Sequence, residues 1–246
     1  MNAVPMYREI ADDPAADLPI SHGELAGQPV DLTDHVRFDV CPTWLELAIR
    51  HFSDAQVAQA ARVAAWKGAD ENSKSGALEW EFETSLQSIM ACSIALDAFC
   101  AAVQSRVHLP PSVLDQSRER RLPRHAEIAE IFRFAFSLTA KEAGTLRQNL
   151  GEIFRFRDLA IDASSKNGAP ILHPELHVGG EWRFAYFRCE NTALIVRATL
   201  QLIRGFVVSD KPKDADVQKY LDGLKPRLER LLYSNALRAQ ATAARI

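Results

Sequence analysis

Residues 77–107 read ALEWEFETSLQSIMACSIALDAFCAAVQSRV. Leu86, Ile89, Met90, Ile94, Leu96, Phe99, Cys100, Val103 and Val107 recur at helical spacing and cover so broad a face that the segment is expected to be a central, deeply buried helix. It follows the polar stretch GADENSKSG, read as a loop, and Pro110 and Pro111 close it. The rest of the composition points the same way. Of 246 residues, 36 are alanine and only 11 glycine, and alanine sacrifices no side-chain entropy in a helix while glycine sacrifices most backbone freedom. An all-α bundle of five to seven helices is the expected fold. No segment alternates polar and apolar residues for long, and GxGxxG, GxxxxGK and GxSxG are all missing from the sequence, which disfavours parallel-sheet enzymes with glycine-rich phosphate loops.

Working outward, Thr43 with Glu46 and Ser53 with Gln56 have the spacing of reciprocal capping boxes. They predict two helices meeting at an angle before a stop at Gly68. Beyond Pro111, Arg118, Arg120, Arg121 and Arg124 form the densest basic cluster in the chain, with His125 beside them, and are the candidate substrate contacts. Residues 126–138 read as a short helix. Thr139 and Glu142 make a third capping box, opening a helix to about residue 163. A loop over SSKNGAPILHPELHVGG leads to a long helix at about 181–207, where Arg183, Glu190, Arg197 and Arg204 recur every seven residues as a solvated stripe. A final seam of Val217, Leu221, Leu224, Leu228 and Leu231 is interrupted by Gly223 and Pro226, which should kink or split it.

These segments give three parts: an acidic, extended arm at 1–40, a helical core at 41–210, and a C-terminal helical segment at 211–246 packed on the core or at a dimer contact. The arm holds eight acids against two arginines, and the last part eight basic residues against four acids. A formal net charge of -3 argues against coating nucleic acid by bulk electrostatics. The opening MNAVPMYREIADDP lacks a basic region followed by an apolar one, and no apolar run approaching ~20 residues is read elsewhere. Cys41, Cys92, Cys100 and Cys189 are far apart and expected to be reduced and buried. A cytoplasmic protein without membrane association is therefore expected, with no cofactor and no metal, and the C-terminal seam makes a homodimer the expected assembly.

One segment could carry chemistry. IFRFRDLAID, residues 153–162, places Arg157 in the apolar repeat of its helix, where an unpaired guanidinium is costly. Asp97 and Glu190 are the carboxylates expected to clasp it. If such a buried pair were broken, Arg157→Ala would cost ~3 to 5 kcal/mol. The other reading takes Arg157, Asp158 and Asp162 as a small polar cleft able to hold a phosphate.

The segment resembles the HEPN helical-bundle family, in which a buried helix precedes a helix carrying arginine with Asn or Asp, a small apolar spacer and a terminal histidine, and whose members include RNA-cleaving toxins and defence proteins, usually dimeric. RDLAID supplies the arginine at Arg157 and the polar residue at Asp158. The family's histidine position holds Asp162. The resemblance implies an RNA-directed protein whose metal-independent ribonuclease site is altered, because an ionised aspartate repels phosphate where imidazole would exchange a proton. His173 and His177, expected in a surface loop, are possible substitutes for that base. Trp182 beside Arg183 is the one tryptophan placed to meet a base. The competing expectation is a non-enzymatic helical scaffold or protein-interaction module in which Arg157 is a structural clasp.

Overall fold

A computed structural model describes residues 39–110, 122–161, 170–208 and 212–243, the last ten of these by backbone alone. The acidic arm apart from Asp39 and Val40, Arg118, Arg120 and Arg121, and Asp162 lie outside the described residues. Within them are seven helices and one short hairpin. In chain order they are α1 (Cys41–Ala65), α2 (Glu71–Gln104), α3 (Arg124–Ala135), α4 (Ala140–Ile161), β1 (Ile171–Leu172), β2 (Gly179–Gly180), α5 (Trp182–Tyr186), α6 (Cys189–Val207) and α7 (Ala215–Ala243). The architecture is a mostly helical bundle.

α2 is the centre, as its apolar breadth predicts. It packs on α1, α3, α4 and α6, and Ile89, Cys92, Leu96, Phe99, Cys100 and Val103 are buried. It starts earlier than expected, because Asp70 caps it by accepting from the Ser73 amide at 3.0 Å, so most of GADENSKSG is helical. An 18-residue stretch of α2 reaches a mean hydropathy of 1.7, although serines and Asp97 punctuate it and no uninterrupted apolar run of that length stands in the sequence. By length and composition it could cross a bilayer, yet 56% of that stretch is buried inside the bundle.

Small residues let α1 lie close against α2. Ala48, Ala55 and Ala58 are buried on one side, Ser85 and Ser88 on the other, and the Ser88 hydroxyl donates to the Ala48 carbonyl at 2.8 Å. α1 is one continuous helix, not two. Asp39 accepts from the Cys41 amide at 3.0 Å and Pro42 stands in the first turn, so the start falls ahead of Thr43, and Ser53 and Gln56 are simply interior positions.

The turn from α3 to α4 is set locally. Ser137 takes a left-handed φ of 53°, and the Leu138 amide donates to the Arg133 carbonyl at 3.1 Å, the wide C-terminal closure usually built on glycine. Thr139 and Glu142 then form the expected box: the Thr139 amide donates to Glu142 at 2.8 Å and the Glu142 amide to the Thr139 hydroxyl at 3.3 Å. Phe99, Phe132, Phe136 and Phe206 pack as one aromatic group, with ring centroids 4.5 to 6.1 Å apart. α7 closes the bundle through Val217, Leu221, Leu224 and Leu228 and runs through Pro226 without splitting.

The expected helix at 181–207 is two helices. Phe187 and Arg188 leave helical geometry between α5 and α6, so Arg183 belongs to a different element from Glu190, Arg197 and Arg204. Strands, unexpected from the sequence, are limited among the described residues to the two-residue pairing of Ile171 with Gly180 and Leu172 with Gly179.

Candidate functional site

Two charged clusters stand among the described residues, one around Arg157 and one around Arg62. Arg157, on α4, is half-buried, its side chain 21% exposed. Its Nε and Nη2 donate to Asp158 at 3.0 and 2.8 Å, its Nη1 lies 3.6 Å from Asp97 on α2, and its head stacks 4.5 Å from the Phe154 ring centroid. Asp97 also accepts from Arg124 Nε at 2.7 Å, and Arg124 Nη1 donates to Glu127 at 2.8 Å. Asp97 therefore ties α2 to both α3 and α4. Of the basic cluster, Arg124 is the member whose position is described, and it is spent on this clasp.

Glu190 is elsewhere. It accepts from Gln59 on α1 and lies 3.5 Å from Arg188, at the start of α6. The reason is the break at Phe187 and Arg188, which turns the first residue pair of α6 toward α1 instead of α4. Trp182 packs edge-on against Tyr186 with centroids 5.6 Å apart, and Arg183 covers its face at 5.0 Å, so it is part of the bundle and not an open platform for a base.

The deeply buried arginine is Arg62, which the sequence reading passed over. It is 1% exposed. Its Nε donates to the buried Glu81 on α2, and its Nη2 donates to Glu175 at 2.5 Å. Glu81 uses its second oxygen to accept the Cys189 amide at 3.0 Å, which caps α6 from a distance, since Arg188 provides no side-chain cap. Arg188 Nη1 donates to Glu175 at 2.7 Å. One signal was available: Ala48, Ala55, Ala58 and Arg62 share the buried face of α1, the same placement argument that had singled out Arg157.

His173 belongs to this network and is buried, 3% exposed. The expected surface-loop position fails because the chain folds back on the imidazole: Nδ1 accepts the amides of Glu175 and Leu176 at 3.3 and 3.2 Å. Burial first, and then the neighbouring Arg62, hold its pKa below the usual histidine value. His177 takes a left-handed φ of 53° at the turn and its side chain is exposed. Neither histidine approaches Arg157 through any contact among the described residues. Burial raises the Glu175 carboxyl, but hydrogen bonds from Arg62, Glu190 and Arg188 prevail and bring it down to about 2. Burial first, and then the neighbouring Glu175 carboxylate, hold Glu190 above the usual carboxylate range.

Among the described residues no group of three or more His, Cys, Asp or Glu could hold a metal ion. The four cysteines are free and buried. Burial pushes the thiols of Cys92, Cys100 and Cys189 up to about 12, far from a reactive thiolate. Compared with known proteins, the chain matches no family model, no curated protein and no solved structure.

Proposed function

We propose that this chain is a non-enzymatic helical scaffold, a protein-interaction module, in which Arg157 is a structural clasp. The observation that carries the reading is the occupancy of the Arg157 guanidinium. Asp158 takes two of its donors, Asp97 approaches a third nitrogen, and the head sits over the Phe154 ring, 4.5 Å from its centroid. The two aspartates beside this head offset its charge and repel a phosphate. The remaining polar groups of the bundle support the same reading: Arg62 and Glu81 are buried and mutually paired, and they join α1, α2 and α6 without forming an open cleft.

The RNA-directed alternative makes a distinguishable prediction. Purified protein incubated with RNA, without added metal and beside Arg157→Ala and Asp162→His, is expected to leave the RNA intact in the parent and in Arg157→Ala. Cleavage by the parent that disappears in a folded Arg157→Ala would overturn the scaffold reading. Circular dichroism establishes that the variant is folded.

A further inference from the structure

Between α1, α6 and α7 runs an open groove of about 290 Å³. Phe52, Val196, Leu200 and Leu232 form its apolar floor, and Arg197 and Arg204 stand on its α6 rim. Both arginines are exposed and neither guanidinium has a hydrogen bond or an ion pair among the described residues, whereas Arg124, Arg133, Arg155, Arg157 and Arg188 all pair with carboxylates. Leu194, on the same outward ridge three residues before Arg197, is 61% exposed.

The spacing defines what would fit. Arg197 and Arg204 are seven residues apart, two helical turns, which separates them by about 10 Å along one side of the groove. An amphipathic helix laid in such a groove inserts apolar side chains at i, i+4 and i+7 and presents its flanks to the rims. With two unpaired guanidiniums on the rim, the complementary flank is acidic. The companion groove between α4 and α6, about 350 Å³, is bordered by Glu142 and by no basic side chain, so charge distinguishes the two.

We infer that the α1/α6/α7 groove is a docking site for an acidic amphipathic helix of a partner protein, recognised by the apolar floor and by Arg197 and Arg204. This rests on the scaffold reading and supplies its partner class. Floor contacts hold the helix, while the arginines select the sign of its flank and accelerate its approach.

The test uses the full-length protein and a fluorescein-labelled helical peptide with leucines at i, i+4 and i+7 and glutamates seven residues apart on one flank. A second peptide carries lysines in place of those glutamates, and a third is a scramble of the first. Fluorescence anisotropy is expected to show the glutamate peptide binding at least about tenfold more tightly than the other two, a difference of ~1.4 kcal/mol. In the double variant Arg197→Glu/Arg204→Glu the preference should invert toward the lysine peptide. Both substitutions are at exposed positions, and circular dichroism verifies the fold. No binding of the glutamate peptide up to about 1 mM overturns the proposal. So does binding that ignores the charge reversal, or a parent dimer in sedimentation that the reversal dissociates, since a second copy would then own the face. A silent peptide with an Arg157→Ala that is destabilised removes the groove and leaves the clasp, whereas RNA cleavage lost in folded Arg157→Ala removes the scaffold itself.

Discussion

Arg62 and Arg157 are both set into helices of the same bundle and both face carboxylates, yet their surroundings differ in kind. Arg62 is sealed, with one partner buried on α2 and the other on the loop before α5. Arg157 keeps a fifth of its surface in water and takes its shortest bonds from the residue next to it. Burial decides how much a charge pair matters once broken: losing one partner of a sealed pair strands the other without solvent, while water replaces the lost partner of an open one. The arginine that the motif picks out is thus the less consequential for stability. The one hidden among alanines holds more of the molecule together.

That contrast can be broken most directly by removing each head. Arg62→Ala is expected to lower unfolding stability by ~3 to 5 kcal/mol, because Glu81 is left buried and charged. Urea denaturation measures it, and a loss no larger than that of Arg157→Ala would collapse the distinction. Arg62→Met with Glu81→Gln should recover most of the loss, since glutamine keeps an acceptor for the Cys189 amide while removing the unpaired charge.

The same contrast should appear in pH. His173 has a folded pKa below the ordinary 6.5, so its contribution is present above that value and is lost as pH falls through the folded pKa. Glu175 behaves alike further down: its contribution is complete above 4.5 and lost toward about 2. Glu190, raised, has the opposite sign and loses its contribution as pH rises through its folded pKa. Urea midpoints followed from pH 7 to pH 3 should therefore fall with acid. His173→Asn, which keeps an acceptor near the two amides, should flatten the upper part of that fall and Glu175→Gln the lower. An unchanged profile in both variants would remove the network from the acid response.

Smaller effects sharpen the other side. Arg157→Ala should cost about 1 kcal/mol, below the figure for a buried pair, because its head is reached by solvent. Asp97→Asn should cost more than Arg157→Ala, since it loosens Arg124 and Arg157 together; equal losses in thermal unfolding would mean that Asp97 joins only one helix. The smallest change lies outside both clusters. Ser137→Gly, relieving a left-handed backbone, is expected to stabilise by about 0.5 kcal/mol, the strain relief being partly offset by the freer unfolded chain. A destabilised Ser137→Gly would show that its hydroxyl matters more than its φ.

What the sequence disclosed follows the range of the forces. α2 was legible because its apolar residues outnumber any alternative use, and Thr139 with Glu142 because a capping box is complete within four residues. The start of α1 was misplaced since Asp39 and Pro42 compete locally with Thr43, and nothing short of packing chooses between them. Asp97 was reachable as a partner of Arg157 from its place in an apolar helix. Glu190 was not, because the bend at Phe187 and Arg188 is fixed by Glu175 and Glu81, residues remote in sequence. His173 was hidden for the same reason: a loop that folds over its own imidazole has no periodicity to read.

The Glu81 carboxylate reaches the Cys189 amide across 108 positions of chain, and that single bond has a consequence for the order of assembly. A helix whose first amide is held by a distant acid cannot fix its own starting point. α1 and α2 are neighbours in sequence and can find each other quickly, whereas α6 must wait for their surface before its first turn is anchored. A peptide of residues 181–208 made alone should accordingly begin its helix later than Cys189 or fray there, and amide exchange should show the protection returning when the rest of the chain is supplied.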